Sequence, residues 1–327
     1  MQEAHIPIYR KYNLPIVGVY DVSAKALTAV REQFGVRRAF DSLDELLEHP
    51  EVEVVDIATP PGSRVELMIR ALAAGKHILA QKPFAKSMEG VLEVVSRADR
   101  GNVKVAINQN GRWAPPWRVA TLLICQGAIG EVLAISHLQH THFGRITGTA
   151  FDTDPSFAIF DFTEHWIDIV RCWMGQAPVL HVRACQYRTP DQPPGSRTPW
   201  GMWVEIAYES GANALIRGVG CARMVSDGHP FWIHGSEGTI RGSVRGDEFL
   251  VLERDGVAFE YALRGRWYYD GFAGSIGELL CAIVEDREPY NSARHNLLSL
   301  QMTLAACRSA DANGSPVALD PALETPS

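Results

Sequence analysis

The sequence predicts an α/β chain of two domains. A parallel sheet flanked by helices is expected over residues 1–110, and an α+β domain with a large, mainly antiparallel open sheet over 111–327. Three observations lead there. Short apolar runs alternate with helical patterns through the first third of the chain, as βαβ units require. Past Asn110 that alternation stops, and from about Val179 to Tyr261 strand follows strand across turns such as Glu209-Ser-Gly211, Gly235-Ser-Glu-Gly238 and Arg254-Asp-Gly256. The length, 327 residues, suits two domains of ordinary size.

Met1 to Tyr9 has the pattern of an opening helix, and Ile16 to Tyr20 that of an apolar, β-branched strand ending at Asp21. Ala24, Leu27, Val30 and Phe34 recur at helical spacing over 23–34. Ser42 with Glu45 forms a capping box for a short helix to Leu47. Val52–Ala58 reads as a buried strand ending at Thr59-Pro60-Pro61-Gly62, and a helix over 64–74 stops at Gly75. His77–Ala80 is a strand running into Gln81-Lys82-Pro83, and a helix over 87–98 leads to the strand Val103–Ile107. In the second domain a helix over 117–126 and the turn Gly127-Ala-Ile-Gly130 precede the strand Val132–His140. A helix over 158–174 stops at Gly175, the run of strands follows, and helices over 271–285 and 293–312 close the chain.

Composition excludes several classes of function. Hydrophobic residues at 46% and charged residues at 21% describe a globular protein. A net charge of -7 and the absence of any basic tract exclude nucleic acid and anionic membrane as partners. No stretch approaches the ~20 apolar residues of a membrane span, and no signal peptide stands at Met1. The six cysteines form no CxxC pair and read as reduced thiols, which places the protein in the cytoplasm.

In parallel sheets, ligands bind beyond the carboxyl ends of the strands. Asp21, Thr59, Lys82 and Asn108 all fall at such ends. An acid at position 21 would hydrogen-bond adenosine ribose hydroxyls and repel a 2′-phosphate, favouring NAD over NADP; a turn-capping aspartate is the plainer alternative. Lys82, backed by Pro83, could hydrogen-bond a substrate hydroxyl and favour its developing negative charge. Asp161, Glu164, His165 and Asp168 share one face of their helix. There a carboxylate one turn before His165 could fix its tautomer, and His165 could take a hydroxyl proton. His137, His140 and His142 invite a metal reading, but no carboxylate or cysteine stands at ligand spacing beside them, so no metal is expected. Trp200, Trp203, Trp267, Tyr268 and Tyr269 would line a carbohydrate surface or, more simply, supply core and contact area.

A dinucleotide fold opens with a strand and a Gly-rich turn into the first helix. No GxGxxG occurs in the sequence, and Gly18 lies in the apolar run over 16–20. Either the given start is late, with that strand and phosphate loop upstream of Met1, or a dinucleotide is not bound in the usual way. The first is preferred, because omitting a central strand would expose two sheet edges.

The string Ala74-Gly-Lys-His-Ile-Leu-Ala-Gln-Lys82-Pro83, the Thr59-Pro60 turn, Asn110-Gly-Arg112-Trp-Ala-Pro115, Gly127-Ala-Ile-Gly130-Glu131-Val132, the DxxxHxxD helix, Gly235-Ser-Glu-Gly238-Thr239 and Glu288-Pro289-Tyr-Asn-Ser-Ala293 occur in one order. In that order the chain resembles the Gfo/Idh/MocA oxidoreductases over nearly its whole length. The resemblance implies an N-terminal Rossmann domain, NAD as cofactor with NADP as the alternative, and oxidation or reduction at a hydroxyl of a sugar, inositol or related polyol. It implies a homodimer or homotetramer built through the C-terminal sheet. By match, Lys82 is the active-site lysine and Asp161 with His165 the acid/base pair. Asp21, Thr59, Pro60, Gln81, Lys82 and Asn110 fall where cofactor contacts are expected. Gln81 replaces the family's usual glutamate, and Phe157-Ala-Ile-Phe160 with Glu164 add bulk and an acid around the helix, which leaves the substrate open. Two other activities fit the pattern less well: transient use of bound NAD for elimination or glycoside cleavage, and non-catalytic binding of a sugar-like ligand.

Overall fold

The computed structural model describes residues 4–223 and 228–320. The start of the expected opening helix, at 1–3, lies outside them. In chain order the helices are α1 (His5–Lys11), α2 (Ala24–Phe34), α3 (Leu43–Glu48), α4 (Pro61–Ala73), α5 (Val91–Gly101), α6 (Pro115–Cys125), α7 (Glu164–Met174), α8 (Phe272–Val284) and α9 (Ala293–Asp311). The strands are β1 (Val54–Ile57), β2 (His77–Ala80), β3 (Val105–Ile107), β4 (Val132–His140), β5 (Val179–Tyr187), β6 (Gly201–Tyr208), β7 (Asn213–Val219), β8 (His229–Gly235), β9 (Thr239–Val244), β10 (Phe249–Arg254) and β11 (Val257–Glu260).

The chain divides into two compact units. One holds the residues up to Asn110 together with Tyr268–Asn296, and the other holds Gly111–Trp267 and the chain from Leu297 onward. A single boundary near Asn110 is therefore not what the contacts give. The apolar face of α8 is the reason: Ile276 and Leu279 bury against Leu79 of β2 and Ala106 of β3. Removing that much apolar surface from water outweighs proximity in sequence.

In the first unit β1, β2 and β3 form a three-stranded parallel sheet in that order. Ser23 caps α2, its Oγ accepting from the Ala26 amide at 3.3 Å, and Gly35 ends the helix in the left-handed conformation at φ 57°. Ser42 caps α3 in the same way, while Glu45 reaches back to the Asp41 amide at 2.8 Å, one residue beyond the expected box. The expected strand over 16–20 joins no sheet. It makes one parallel bridge, Val19 with Ala39, and is held instead by packing of Ile16 and Val19 around Ile6, Val30 and Val36. Apolar, β-branched composition marks burial here, but it does not supply the ladder that defines a strand.

In the second unit eight strands form an open sheet in the order β11-β10-β9-β8-β4-β7-β6-β5. It is antiparallel throughout except for β4 with β7. Alternation sorts the two faces. Val204, Ile216, His137 and Phe231 lie side by side on the inner face and are buried. Glu205, Leu215, Ser136, Trp232 and Arg241 run across the outer face. Two glycine-bearing turns meet at one end of β4. The Glu237 amide donates to the Ile129 carbonyl at 2.9 Å, Ser236 N to Glu131 O at 2.9 Å, and Glu131 N to Ser236 Oγ at 3.0 Å. Gly130 sits at φ 67°, and a Cβ there would collide with Ser236 and Glu237. These two segments of the family pattern are therefore structural.

Buried histidines give this unit an acid sensitivity. His137 stacks on Trp173 at 5.4 Å and meets Trp117 and Phe231 edge-on or tilted. Burial pushes its pKa down to about 3. Burial, with Arg245 and two neighbouring histidines, pushes that of His229 down to about 3. The unfolded chain takes up those protons near pH ~6.5. Between that value and about pH 3 the unfolded state therefore binds more protons than the folded one. Stability should fall as the pH drops through this window, by roughly 1.4 kcal/mol per pH unit for each histidine. Urea unfolding at several pH values tests this: His137→Phe should remove one such increment, and an unchanged pH slope would refute the assignment.

Candidate active site

The carboxyl ends of the three parallel strands carry most of the candidates in the first unit. After β1 the chain turns through Thr59 and Pro60 into α4, whose first residue is Pro61. The hydroxyl of Thr59 is buried and makes no hydrogen bond within the protein. After β2 come the half-buried Gln81 and Lys82. After β3 come Asn108, Gln109 and Asn110, all essentially inaccessible. The Asn108 Oδ1 atom is also buried without a partner. The end of β3 is pinned by Asn291: the Ile107 amide donates to its carbonyl at 2.7 Å, and its Nδ2 donates to Ile107 O and Ser275 Oγ, each at 3.0 Å. The late segment over 288–293 thus shapes this end of the sheet from inside the same unit.

Four residues that the sequence reading did not single out, Arg64, His5, Tyr9 and Asp56, complete the arrangement. Arg64, on the first turn of α4 and only 2% exposed, donates to the carbonyls of Thr59 and Pro83 and so ties two strand-end turns together. Its signal in the sequence was a cation in register with Met68, Ala71 and Leu72, the buried stripe of α4. His5 is 3% exposed, its Nδ1 2.6 Å from Asp56 Oδ2 and its Nε2 2.9 Å from Gln81 Nε2. Tyr9 donates to the same Asp56 oxygen at 2.5 Å. Burial first, then the Asp56 carboxylate, raises the Tyr9 phenol well above its ordinary range, so it stays a donor. Asp21 stands apart. It is exposed and accepts from the Ser23 amide at 2.8 Å, at the start of α2.

These residues fit a dinucleotide. Buried polar groups are normally paired, and two of them, on Thr59 and Asn108, lack a partner at strand ends where such sheets bind ligands.

In the second unit Asp161 and His165 straddle a change of helix type. Residues Ala158–Phe162 form one wide π-turn, closed by the Thr163 amide on the Ala158 carbonyl at 3.1 Å, before α7 begins at Glu164. The Thr163 hydroxyl reinforces the turn, donating to Ala158 O at 2.6 Å and lying 3.1 Å from Gln139 Oε1. The single helix expected over 158–174 is thus interrupted, a feature common at functional sites. Asp161 and His165 are half-buried, and the His165 ring meets Trp267 edge-on at 5.3 Å. Trp267 is core, 2% exposed, as is Trp200 at 3%. Trp203 is half-buried, and Tyr268 and Tyr269 are exposed.

Asp168, last in the DxxxHxxD pattern, has a structural role. Arg112 grips it with two bonds of 2.7 and 2.6 Å, Ser299 adds a third at 2.6 Å, and both charged residues are buried. Burial opposes charge on each, but their attraction outweighs it: the Asp168 carboxyl is held below its ordinary range and the Arg112 guanidinium above. Among the described residues no three His, Cys, Asp or Glu side chains are grouped to hold a metal. His142 instead accepts from the Gly144 amide at 3.2 Å. No helix among them is long and apolar enough to cross a membrane.

Residues 1–109 match the profile of a family described as an oxidoreductase family with an NAD-binding Rossmann fold. An uncharacterized oxidoreductase of Schizosaccharomyces pombe is 34% identical over 111 residues, covering 34% of this chain and 30% of its own length. The chain thus spans about a third of that relative. A D-apiose dehydrogenase of Paraburkholderia graminis is 25% identical over 318 residues, covering 90% of this chain and 80% of that protein. Among solved structures, an oxidoreductase from Agrobacterium radiobacter in complex with NAD+, L-tartaric acid and magnesium superposes with a TM-score of 0.85 at 21% identity, covering 96% of both chains. That likeness shows the fold. Residues 1–109 thus carry the profile of an oxidoreductase family with an NAD-binding Rossmann fold, in keeping with the resemblance of the motif order, and the whole chain shares the architecture of a solved oxidoreductase.

Proposed function

We propose that this chain is an NAD-dependent dehydrogenase acting on a CH–OH group of a sugar, inositol or related polyol. The observation that carries the reading is the polar, partly unsatisfied set at the ends of three parallel strands: Thr59, Gln81 with Lys82, and Asn108 to Asn110. The resemblance to a D-apiose dehydrogenase over most of the chain supports a sugar-like substrate. When bound, the nicotinamide would accept or supply the hydride. Thr59, Pro60, Gln81, Lys82 and Asn110 would hold the cofactor, and Asp21 would pair with ribose hydroxyls and disfavour the 2′-phosphate of NADP. The Lys82 ammonium would donate to the substrate hydroxyl oxygen and stabilise its growing negative charge. The His165 imidazole would take the hydroxyl proton, oriented by Asp161. In this reading the unit that holds the residues up to Asn110 is the cofactor domain and the unit that holds Gly111–Trp267 the substrate and assembly domain, and the protein works in the cytoplasm.

The outer face of the large sheet, with Leu215 and Leu138 beside Trp232 and Arg217, supports a homodimer or homotetramer built through it. Sedimentation of the purified chain would read the assembly directly, and a monomer at micromolar concentration would rule it out. Calorimetry with NAD(H) and NADP(H), followed by an absorbance screen of polyols and aldoses, tests the activity. Tighter binding of NAD(H) and reduction of NAD+ by at least one such compound are expected. Binding of neither dinucleotide would refute the proposal.

A further inference from the structure

We infer that His5 is a positioning residue for Lys82, acting through Gln81, and that the amide at 81 is matched to the histidine at 5. The inference rests on the role proposed above for Lys82. The Lys82 backbone amide donates to Gln81 Oε1 at 2.8 Å. That bond fixes which way the Gln81 amide points, so its Nε2 faces His5 Nε2 at 2.9 Å. An amide nitrogen only donates, so His5 Nε2 must offer a lone pair. The ring proton then sits on Nδ1, 2.6 Å from Asp56 Oδ2, where it meets a carboxylate. The Nδ2 of Asn108 also faces the same ring nitrogen, at 3.4 Å.

The result is a chain of donors running one way: Lys82 N–H to Gln81, Gln81 N–H to His5, His5 N–H to Asp56. Each of the three links pairs a donor with an acceptor, and they end on Asp56 Oδ2, while Asp56 Oδ1 is buried without a partner. Asp56 is held in turn by Tyr9, and it sits on β1, hydrogen-bonded to β2 through the Asp56 to Leu79 register pair. The relay therefore anchors the turn that carries Lys82 to the rigid edge of the sheet. Fixing an active group in this way is worth more than its own bond energies, because small misplacements are costly in rate. A glutamate at 81 would break the logic. Its carboxylate would face a ring lone pair, and the site would be satisfied only by an imidazolium between two carboxylates. The family's usual glutamate and this chain's glutamine thus call for different protonation of the same ring.

Two measurements test this on the whole chain. Nitrogen NMR with 15N-labelled histidine, with the His5 signals assigned by their loss in His5→Phe, reads the tautomer directly. The Nδ1–H form is expected in the wild type at neutral pH, and the doubly protonated form in Gln81→Glu. The Nε2–H form in the wild type would overturn the inference. The second measurement is steady-state kinetics. His5→Phe, which keeps the ring volume, should lower kcat by about 10- to 100-fold with a small change in KM. His5→Gln, which returns an acceptor at the Nε2 position, should recover part of that loss. Wild-type kcat in His5→Phe would overturn the inference. If His5→Phe fails to fold, loss of the His5 signals in His5→Gln assigns them, and the wild-type tautomer decides. Absence of any dehydrogenase activity in the wild type would sink the proposed function instead, while the tautomer still decides whether the relay exists.

Discussion

Lys82→Ala and His165→Ala are each expected to lower turnover by about two to four orders of magnitude, with NAD affinity nearly unchanged for His165→Ala and lowered far less than turnover for Lys82→Ala. The two substitutions remove different things. Lys82 would supply positive charge and a hydrogen bond to an oxygen whose negative charge grows toward the transition state. Its loss is therefore felt in kcat more than in KM. His165 would supply a proton acceptor, so its loss should also change the pH dependence of kcat/KM. The double variant should be far less than additively impaired, as expected for groups acting on one step. Steady-state kinetics on a substrate from the polyol screen, with calorimetry on NAD+, checks all three statements. Wild-type turnover in both single variants would remove the assigned chemistry. A proportional loss of NAD affinity would convert Lys82 from a catalytic residue into a binding one.

The second large effect is on folding. Arg112→Ala leaves the Asp168 carboxylate buried, holding only its Ser299 bond of 2.6 Å. Stranding one partner of a buried ion pair costs about 3–5 kcal/mol, a large share of the ~5–15 kcal/mol by which a domain is stable. Urea unfolding should show that loss. Asp168→Asn, which keeps shape and hydrogen-bonding capacity, should cost less than Asp168→Ala. A loss below about 1 kcal/mol for Arg112→Ala would mean that water or another group takes over the carboxylate. The same result bears on catalysis. Asp168 lies three residues beyond His165, yet its three bonds go to Arg112 and Ser299, so its role is to anchor α7.

The sequence by itself determined the alternation of strands and helices in the first unit, the mainly antiparallel second sheet and the polar residues at strand ends. Those features rest on local signals: periodicity, caps at Ser23 and Ser42, and glycines such as Gly35 at positive φ. Tertiary structure decided the rest. The segment over 16–20 is as apolar as a strand, but whether it is one depends on a neighbour to pair with. Helix α8 lies far along the chain and joins the first unit because its apolar stripe finds Leu79 and Ala106 there. Spacing put Asp168 beside His165, and only packing showed that Arg112 takes it. Arg64 and His5 were visible as charged or titratable residues at buried helical positions, but their partners are 5 to 76 residues away. A hydrogen bond is specified by where two groups meet in space, and a one-dimensional pattern can mark a buried polar group without saying what satisfies it.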